Sequence, residues 1–395
     1  MTDVARRGAL GAVLAGMLMP RDICAQDVKS IPDPQAAALD DDAVVRRLNA
    51  LGVRLRNQPL TVGDLPVLAS LRLSGAAARQ FTDADVALLR RLPRLSSLGL
   101  AGARQLTATG VADIARLPGL RYIDLGLSSV GDEGLMALAE APALETLMLA
   151  GSSGITDDGV AYLRRIDRLR VLNLSSQAAV TDAGVASLAM HPNLGTLALG
   201  NCARITDAAV PHLATMPRLT DVNLSGTRIN GAGLDALAGL REMTGLTLTG
   251  TQVDDKATEA IGRIVGLSRL TLSGTRVSDA GLAPIGRLAN LETLILDRLP
   301  VSDAGVAALA GLGKLRSLWL NGTQVGDAAM QVLARMPSLT FVGLGGTAVG
   351  DAGLLALVGN ASVTTVLASR SRITQAGVAA AMAATGRHPR LAVRI

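Results

Sequence analysis

The side chains best suited to acid–base or metal chemistry are three histidines, His191, His212 and His388, two cysteines, Cys24 and Cys202, and aspartates that recur just after Thr or Ser. General acid–base work needs two titratable groups within reach of one substrate atom, and a zinc site needs three or four converging ligands. Neither pattern is present. No histidine has an obvious Ser/Asp or Cys partner, two histidines without a third ligand make no zinc site, and no glycine-rich phosphate cradle occurs. The histidines read as surface residues. In Thr156-Asp157, Thr206-Asp207 and Ser302-Asp303 the hydroxyl reads as a helix N-cap and the carboxylate as a favourably placed capping charge. What remains is recognition chemistry: the chain has one Trp, two Tyr and two Phe, and Tyr122, Trp319 and Phe341 fall inside short runs that alternate like β-strands.

Those runs belong to a repeat. The pattern LxxLxL returns thirteen times between Leu68 and Ala368, at a strict 24-residue spacing over the six intervals from Leu219 to Val363. So short a segment cannot bury its own leucines, so each unit must stack on its neighbours and share one continuous core. In the unit that starts at Leu291, Leu294 and Leu296 point inward on a short strand, and strands that all run the same way after a crossover form a parallel sheet. The ninth position holds Thr227, Thr251, Thr275, Thr323 and Thr347, elsewhere Ser128, Ser152, Ser371 or Cys202, small groups able to bond the turning backbone; Gln177 and Leu299 break that column. After the capping pair, a column of Gly134, Gly159, Gly184, Gly281, Gly305 and Gly353, with Ala209, Ala257 and Ala329 as substitutes, implies close packing between coils. A helical turn or two follows, and prolines such as Pro118 and Pro217 return the chain to extended geometry.

The segment Leu197-Ala-Leu199-Gly-Asn-Cys202-Ala-Arg-Ile205-Thr-Asp207 and its copies resemble the leucine-rich repeat family, in the cysteine-containing-like subtype with Thr or Cys at the turn and helix on the convex side, of bacterial type. The resemblance covers about three quarters of the chain. It implies an α/β leucine-rich repeat solenoid, a horseshoe with a parallel sheet on its concave face and short helices on its convex face. The family usually binds another protein through that sheet; no cofactor or catalytic residue is implied.

The third, fifth and seventh positions of each strand face the concave side. Ile295, Trp319, Phe341 and Leu367 come from four successive strands and span roughly 15 Å at the spacing of a sheet. With Asp297, Arg298, Asn321 and Arg269 around them they form an apolar centre with a polar rim, the composition of a protein-binding hot spot. Arg72, Tyr122 and Asp124, with Arg121 nearby, make a secondary cluster. Asn173, Asp221 and Asn223 read either as a polar middle to the face or as solvated sheet residues. The carboxylates of this face are too sparse for paired work: Asp124 and Asp221 lie four strands apart, about 19 Å.

Composition agrees with one long array, since 395 residues at 49% hydrophobic content supply an aliphatic core. The formal charge of +5 does not point to nucleic acid, because only Lys29, Lys256 and Lys314 are lysines and the arginines form no run interleaved with aromatics. Residues 1–25 read as an export signal, with Arg6 and Arg7 before an apolar stretch over 8–19 and a cleavage point after Ala25; the paired arginines resemble the twin-arginine motif. The apolar stretch is too short to span a membrane. Loss of the signal leaves Cys202 with no disulfide partner, consistent with a periplasmic or secreted bacterial protein. Residues 26–41 read as a linker, 42–67 as an N-terminal capping segment, 68–390 as the array and 391–395 as a terminal edge strand. The expected function is non-enzymatic binding of a protein, or a cell-surface polymer, on the concave face. The alternatives are a cytoplasmic adaptor or host-delivered effector resembling F-box leucine-rich repeat receptors, although residues 31–57 hold no convincing F-box, and a structural spacer without a ligand.

Overall fold

The computed structural model describes residues 40–384 and 391–395. The proposed export signal, nearly all of the linker and His388 lie outside them. Fourteen strands of three or four residues, from Ser70–Leu73 to Ala392–Arg394, form one parallel sheet in strict chain order. The register repeats from pair to pair, so Leu270, Leu294, Leu318, Val342 and Val366 stand side by side. Each is fully or almost fully buried. A slip of one residue would expose this row to water, and burial therefore locks every coil to its neighbours.

The ninth-position hydroxyls face the core and bond the carbonyl three residues back: Thr227, Thr251, Thr275, Thr323 and Thr347 donate to Leu224, Leu248, Leu272, Leu320 and Leu344. Gln177, expected to break this column, serves it instead. Its longer side chain donates from Nε2 to Leu149 O of the preceding coil at 2.7 Å, as the Cys202 thiol does to Leu174 O at 3.1 Å. Burial pushes the Cys202 thiol pKa up, so this cysteine is a packing group with little thiolate character.

The recurrent aspartates act differently from the capping charges expected. The hydroxyls are the N-caps: Thr156, Thr181, Thr206 and Ser302 accept from the backbone N–H two residues on. Each aspartate instead reaches into the next coil. Asp157 Oδ1 accepts from Thr181 N at 2.8 Å and Oδ2 from Thr181 Oγ1 at 2.6 Å. The same pair of bonds joins Asp132 to Thr156, Asp182 to Thr206, Asp255 to Ser278, Asp279 to Ser302 and Asp351 to Thr374. The Thr374 N–H and then its hydroxyl hold the Asp351 carboxyl below its ordinary pKa. This clamp also accounts for the glycine column, since a Cβ at Gly159, Gly184 or Gly305 would overlap the carboxylate of Asp132, Asp157 or Asp279.

His191, expected on the surface, is fully buried. It stands three residues before Leu194, the first leucine of its unit, where other coils carry Ile166, Met216 or Met336. Its ring satisfies the backbone around it: Nε2 lies 3.2 Å from Ile166 O, and Nδ1 accepts from Asn193 N and Leu194 N. Two donors on Nδ1 fix the neutral tautomer with the proton on Nε2. Burial lowers the His191 pKa, with the Ile166 carbonyl opposing it. At the N-terminal end, the helix Asp41–Ala50 lies on the first coils and is held by Arg47, whose Nε and Nη2 donate to Asp85 at 2.7 and 2.8 Å. Burial raises the Asp85 pKa, but the bonds from Arg47 and Thr82 outweigh it and the net shift is downward.

Candidate functional site

The sheet register decides which predicted residues meet. Ile295, Trp319, Gly343, Leu367 and Arg394 occupy one column on the solvent face; Phe341 lies in the neighbouring column, between Ser317 and Thr365. Trp319 therefore has a glycine beside it, and its ring leans over that gap. A Cβ at Gly343 would sit only 3.0 Å from Trp319 Cε3. In this position the indole meets Phe341, with ring centroids 4.5 Å apart and planes at 34°. Its Nε1 donates to Ser317 Oγ at 3.0 Å. Ile295, Trp319, Phe341 and Leu367 are all half-buried, outside the core that Leu294, Leu318, Val342 and Val366 fill beneath them.

Two rim residues are bound to each other. Asp297 Oδ1 accepts from Asn321 N at 2.8 Å and Asn321 Nδ2 at 3.0 Å, and Asn321 Oδ1 accepts from Gly345 N at 2.7 Å. This ladder joins three coils along the edge of the patch. Burial raises the Asp297 pKa, and the Asn321 donors and the Arg298 charge only partly offset it. Arg298 is exposed, in the left-handed region at φ 61°. Its counterparts in nearby coils, Gly274, Gly322 and Gly346, share that conformation at φ 64°, 69° and 70°.

Arg269 does not join the patch. Its Nη2 lies 2.7 and 2.9 Å from the two carboxylate oxygens of Asp221, two strands away on the side opposite Trp319. The intervening Gly245 leaves room, since a Cβ there would overlap Asp221 Oδ1. Asp221 is thus an ion-pair partner. Asn173 and Asn223 accept from Ser175 N and Ser225 N, closing turns at their own strand ends.

In the secondary cluster, the Arg72 guanidinium crosses Gly99 and sits 5.8 Å from the Tyr122 ring centroid, within cation–π range. Burial raises the Tyr122 pKa, as does Asp124, against the opposing charge of Arg72. Asp124 accepts from Gly126 N at 3.0 Å. Arg121 pairs with Glu145 at 2.9 Å and takes no part.

Among the described residues, no three His, Cys, Asp or Glu side chains group as a metal site, and no helix is long and apolar enough to cross a membrane. The arrangement offers stacked rings, aliphatic edges and hydrogen-bonding groups, which suit binding. Sequence reasoning missed Gly343, which lets the rings meet, and Arg370, exposed at φ 62° in the same left-handed column as Arg298. In both cases the signal was a departure from the repeat at a surface position.

The family profile described as Leucine Rich repeat matches residues 118–139 and 216–238. No curated protein matches the chain. Among solved structures, the chain is similar to an internalin, inlF, from Listeria monocytogenes, with a TM-score of 0.62 and 20% identity, covering 93% of this chain and 98% of the other. It is also similar to a chain of the Rad7 and Elc1 complex of yeast, with a TM-score of 0.56 and 19% identity over 89% and 91% of the two chains. At these identities the likeness is one of fold. Since the coils that match the profile stack in the same register as all the others, the array has the fold of a leucine-rich repeat solenoid.

Proposed function

We propose that this protein is a non-enzymatic scaffold that binds a protein partner on the open face of its sheet, at the surface centred on Trp319 and Phe341. One observation carries the reading. The only Trp of the chain and one of its two Phe are stacked, half-exposed, on a face the solenoid does not need for its core. Leucine-rich repeat scaffolds are in general protein-interaction domains, and the yeast neighbour was solved as a complex with another protein. Burying an aromatic pair of this kind is how hot spots concentrate binding energy. Crosslinking and affinity capture from native extract test it, comparing wild type with a Trp319→Ala/Phe341→Ala variant. Each truncation is expected to cost about 2 kcal/mol or more of binding. A partner retained equally by the double variant, with the fold intact by circular dichroism, removes this site.

The proposal extends to export, on the strength of the paired arginines and apolar stretch in residues 1–25. N-terminal sequencing of the native protein decides it: a terminus near residue 26 is expected, and an intact Met1 or Thr2 would favour the cytoplasmic adaptor instead.

A further inference from the structure

The reading of the Trp319 surface as a binding face leaves open what chemistry its partner carries, and the charges around the rings speak to that. Arg298 and Arg370 stand on the same edge of the sheet, three coils apart, with Gly322 and Gly346 between them, so no side chain separates the two guanidiniums along that edge. Arg394 follows Leu367 in the Trp319 column on the last strand. All three are exposed, and none is in an ion pair among the described residues. Elsewhere on the sheet three arginines are ion-paired, Arg121 with Glu145, Arg269 with Asp221 and Arg316 with Glu292, while Arg72 lies over the Tyr122 ring. The one carboxylate within the patch, Asp297, is occupied by Asn321. The patch is thus an apolar centre bordered by three exposed arginines without ion pairs, with the Asp297 carboxylate beside Arg298 as its one opposing charge.

Resting on the binding reading above, we propose that this surface takes an acidic protein segment that carries apolar anchors: aromatic or aliphatic side chains pack on Trp319, Phe341 and Leu367 while flanking carboxylates meet Arg298, Arg370 and Arg394. Guanidiniums are suited to this task because their planar fork matches a carboxylate in a bidentate pair. Like charge on a wrong partner is repelled at the same three points, so the arrangement selects as well as binds.

Trp319, the only tryptophan, reports the event directly. The full chain is titrated with a synthetic peptide that alternates Glu with Phe and Leu, with its Gln-for-Glu and Lys-for-Glu counterparts, and with heparin, following tryptophan fluorescence. The acidic peptide is expected to shift the emission, to bind about tenfold or more tightly than the Gln peptide, and to weaken as salt rises. Arg298→Glu/Arg370→Glu/Arg394→Glu should abolish that preference. A variant with the same change of charge on exposed arginines of other faces, Arg204→Glu/Arg228→Glu/Arg276→Glu, should keep it. Equal affinity for the Gln peptide, an undiminished response in the first triple variant, or no response to any peptide overturns the acidic-partner inference. Tighter binding of heparin than of the acidic peptide overturns the choice of a protein segment. The capture experiment with the Trp319/Phe341 variant decides the underlying site independently of all these outcomes.

Discussion

The two coils that carry Trp319 and Phe341 lack half of their clamp. Where most coils offer Thr or Ser to the preceding aspartate, these offer Gly326 and Gly350, which give Asp303 and Asp327 only the backbone N–H, at 2.7 Å in each case. Restoring the hydroxyl requires no backbone change. Gly326 has φ −121° and Gly350 φ −112°, against −124° at Thr206 and −111° at Ser302. A Cβ at Gly350 would lie 3.7 Å from Asp327 Oδ2, and one at Gly326 3.3 Å from Asp303 Oδ2, tight enough to need a slight shift of the carboxylate. Gly326→Thr or Gly350→Thr gains a hydrogen bond to a charged acceptor, about 1 kcal/mol after allowing for solvent exposure. Removing a glycine from the unfolded chain adds ~0.5–1 kcal/mol, so each substitution should stabilise by about 1.5–2 kcal/mol. Gly350→Thr has the freer fit.

Urea unfolding of the full chain, followed by Trp319 fluorescence and by circular dichroism, reads the effect as a raised midpoint at unchanged slope. The alanine variants Gly326→Ala and Gly350→Ala carry the entropy gain without the hydroxyl and should fall midway. Equal stability of the Thr and Ala variants would show that the new hydroxyl makes no bond. A Thr variant less stable than wild type would refute the reasoning outright.

The remaining expectations concern the same scaffold. Asp157→Ala should cost about 1.5–3 kcal/mol, because two bonds to Thr181 are lost, whereas Asp158→Ala, exposed one residue on, should change stability by less than about 0.5 kcal/mol; equal effects in urea titrations would restore the capping-charge account. His191 is held below its ordinary pKa, so the unfolded chain takes up a proton first as pH falls below about 6.5, and the stabilising neutral form is progressively lost toward the folded pKa. His191→Met, which copies Met216 and Met336, should flatten the loss of stability between neutral and mildly acidic pH; an unchanged pH profile counts against a buried neutral imidazole. Cys202 should resist a thiol reagent in the native state and react on unfolding, and prompt native labelling would contradict its burial.

The strands were legible because an LxxLxL unit can hide its leucines in only one way, and the column of Leu294, Leu318 and Val342 follows directly from that. The aspartate clamp was not legible from a single coil, where Thr-Asp satisfies every requirement of a helix start. Its signature lay between coils: each aspartate is matched by a Gly or Ala in the next unit, as Asp157 is by Gly184 and Asp182 by Ala209. The buried histidine was misread because a polar residue in an apolar column looks like a surface position until its ring is seen closing backbone bonds. On the open face, the positions of Trp319 and Phe341 followed from alternation alone. Their contact, and the turning of Arg269 toward Asp221, depended on which column neighbour was a glycine: Gly343 in one case, Gly245 in the other.

At the eighth position of each unit the chain adopts the left-handed conformation, and Gly102, Gly151, Gly226, Gly250, Gly274, Gly322 and Gly346 fill it without strain. Ser176 and Asn201 also stand there, and their short polar side chains suit this region better than long ones do. Leu127, Arg298 and Arg370 have no such excuse, and a long side chain in this region costs on the order of 1–2 kcal/mol. Nothing in the stacking requires them, since Leu127 is 58% exposed and both arginines point to solvent. All three fall in units that supply the two candidate clusters: Leu127 follows Tyr122 and Asp124 on the same strand edge, while Arg298 and Arg370 follow Ile295 and Leu367. Met190 and Arg56 adopt the same region elsewhere, but within the eighth-position column long strained side chains fall only in those units, as selection for binding would leave them.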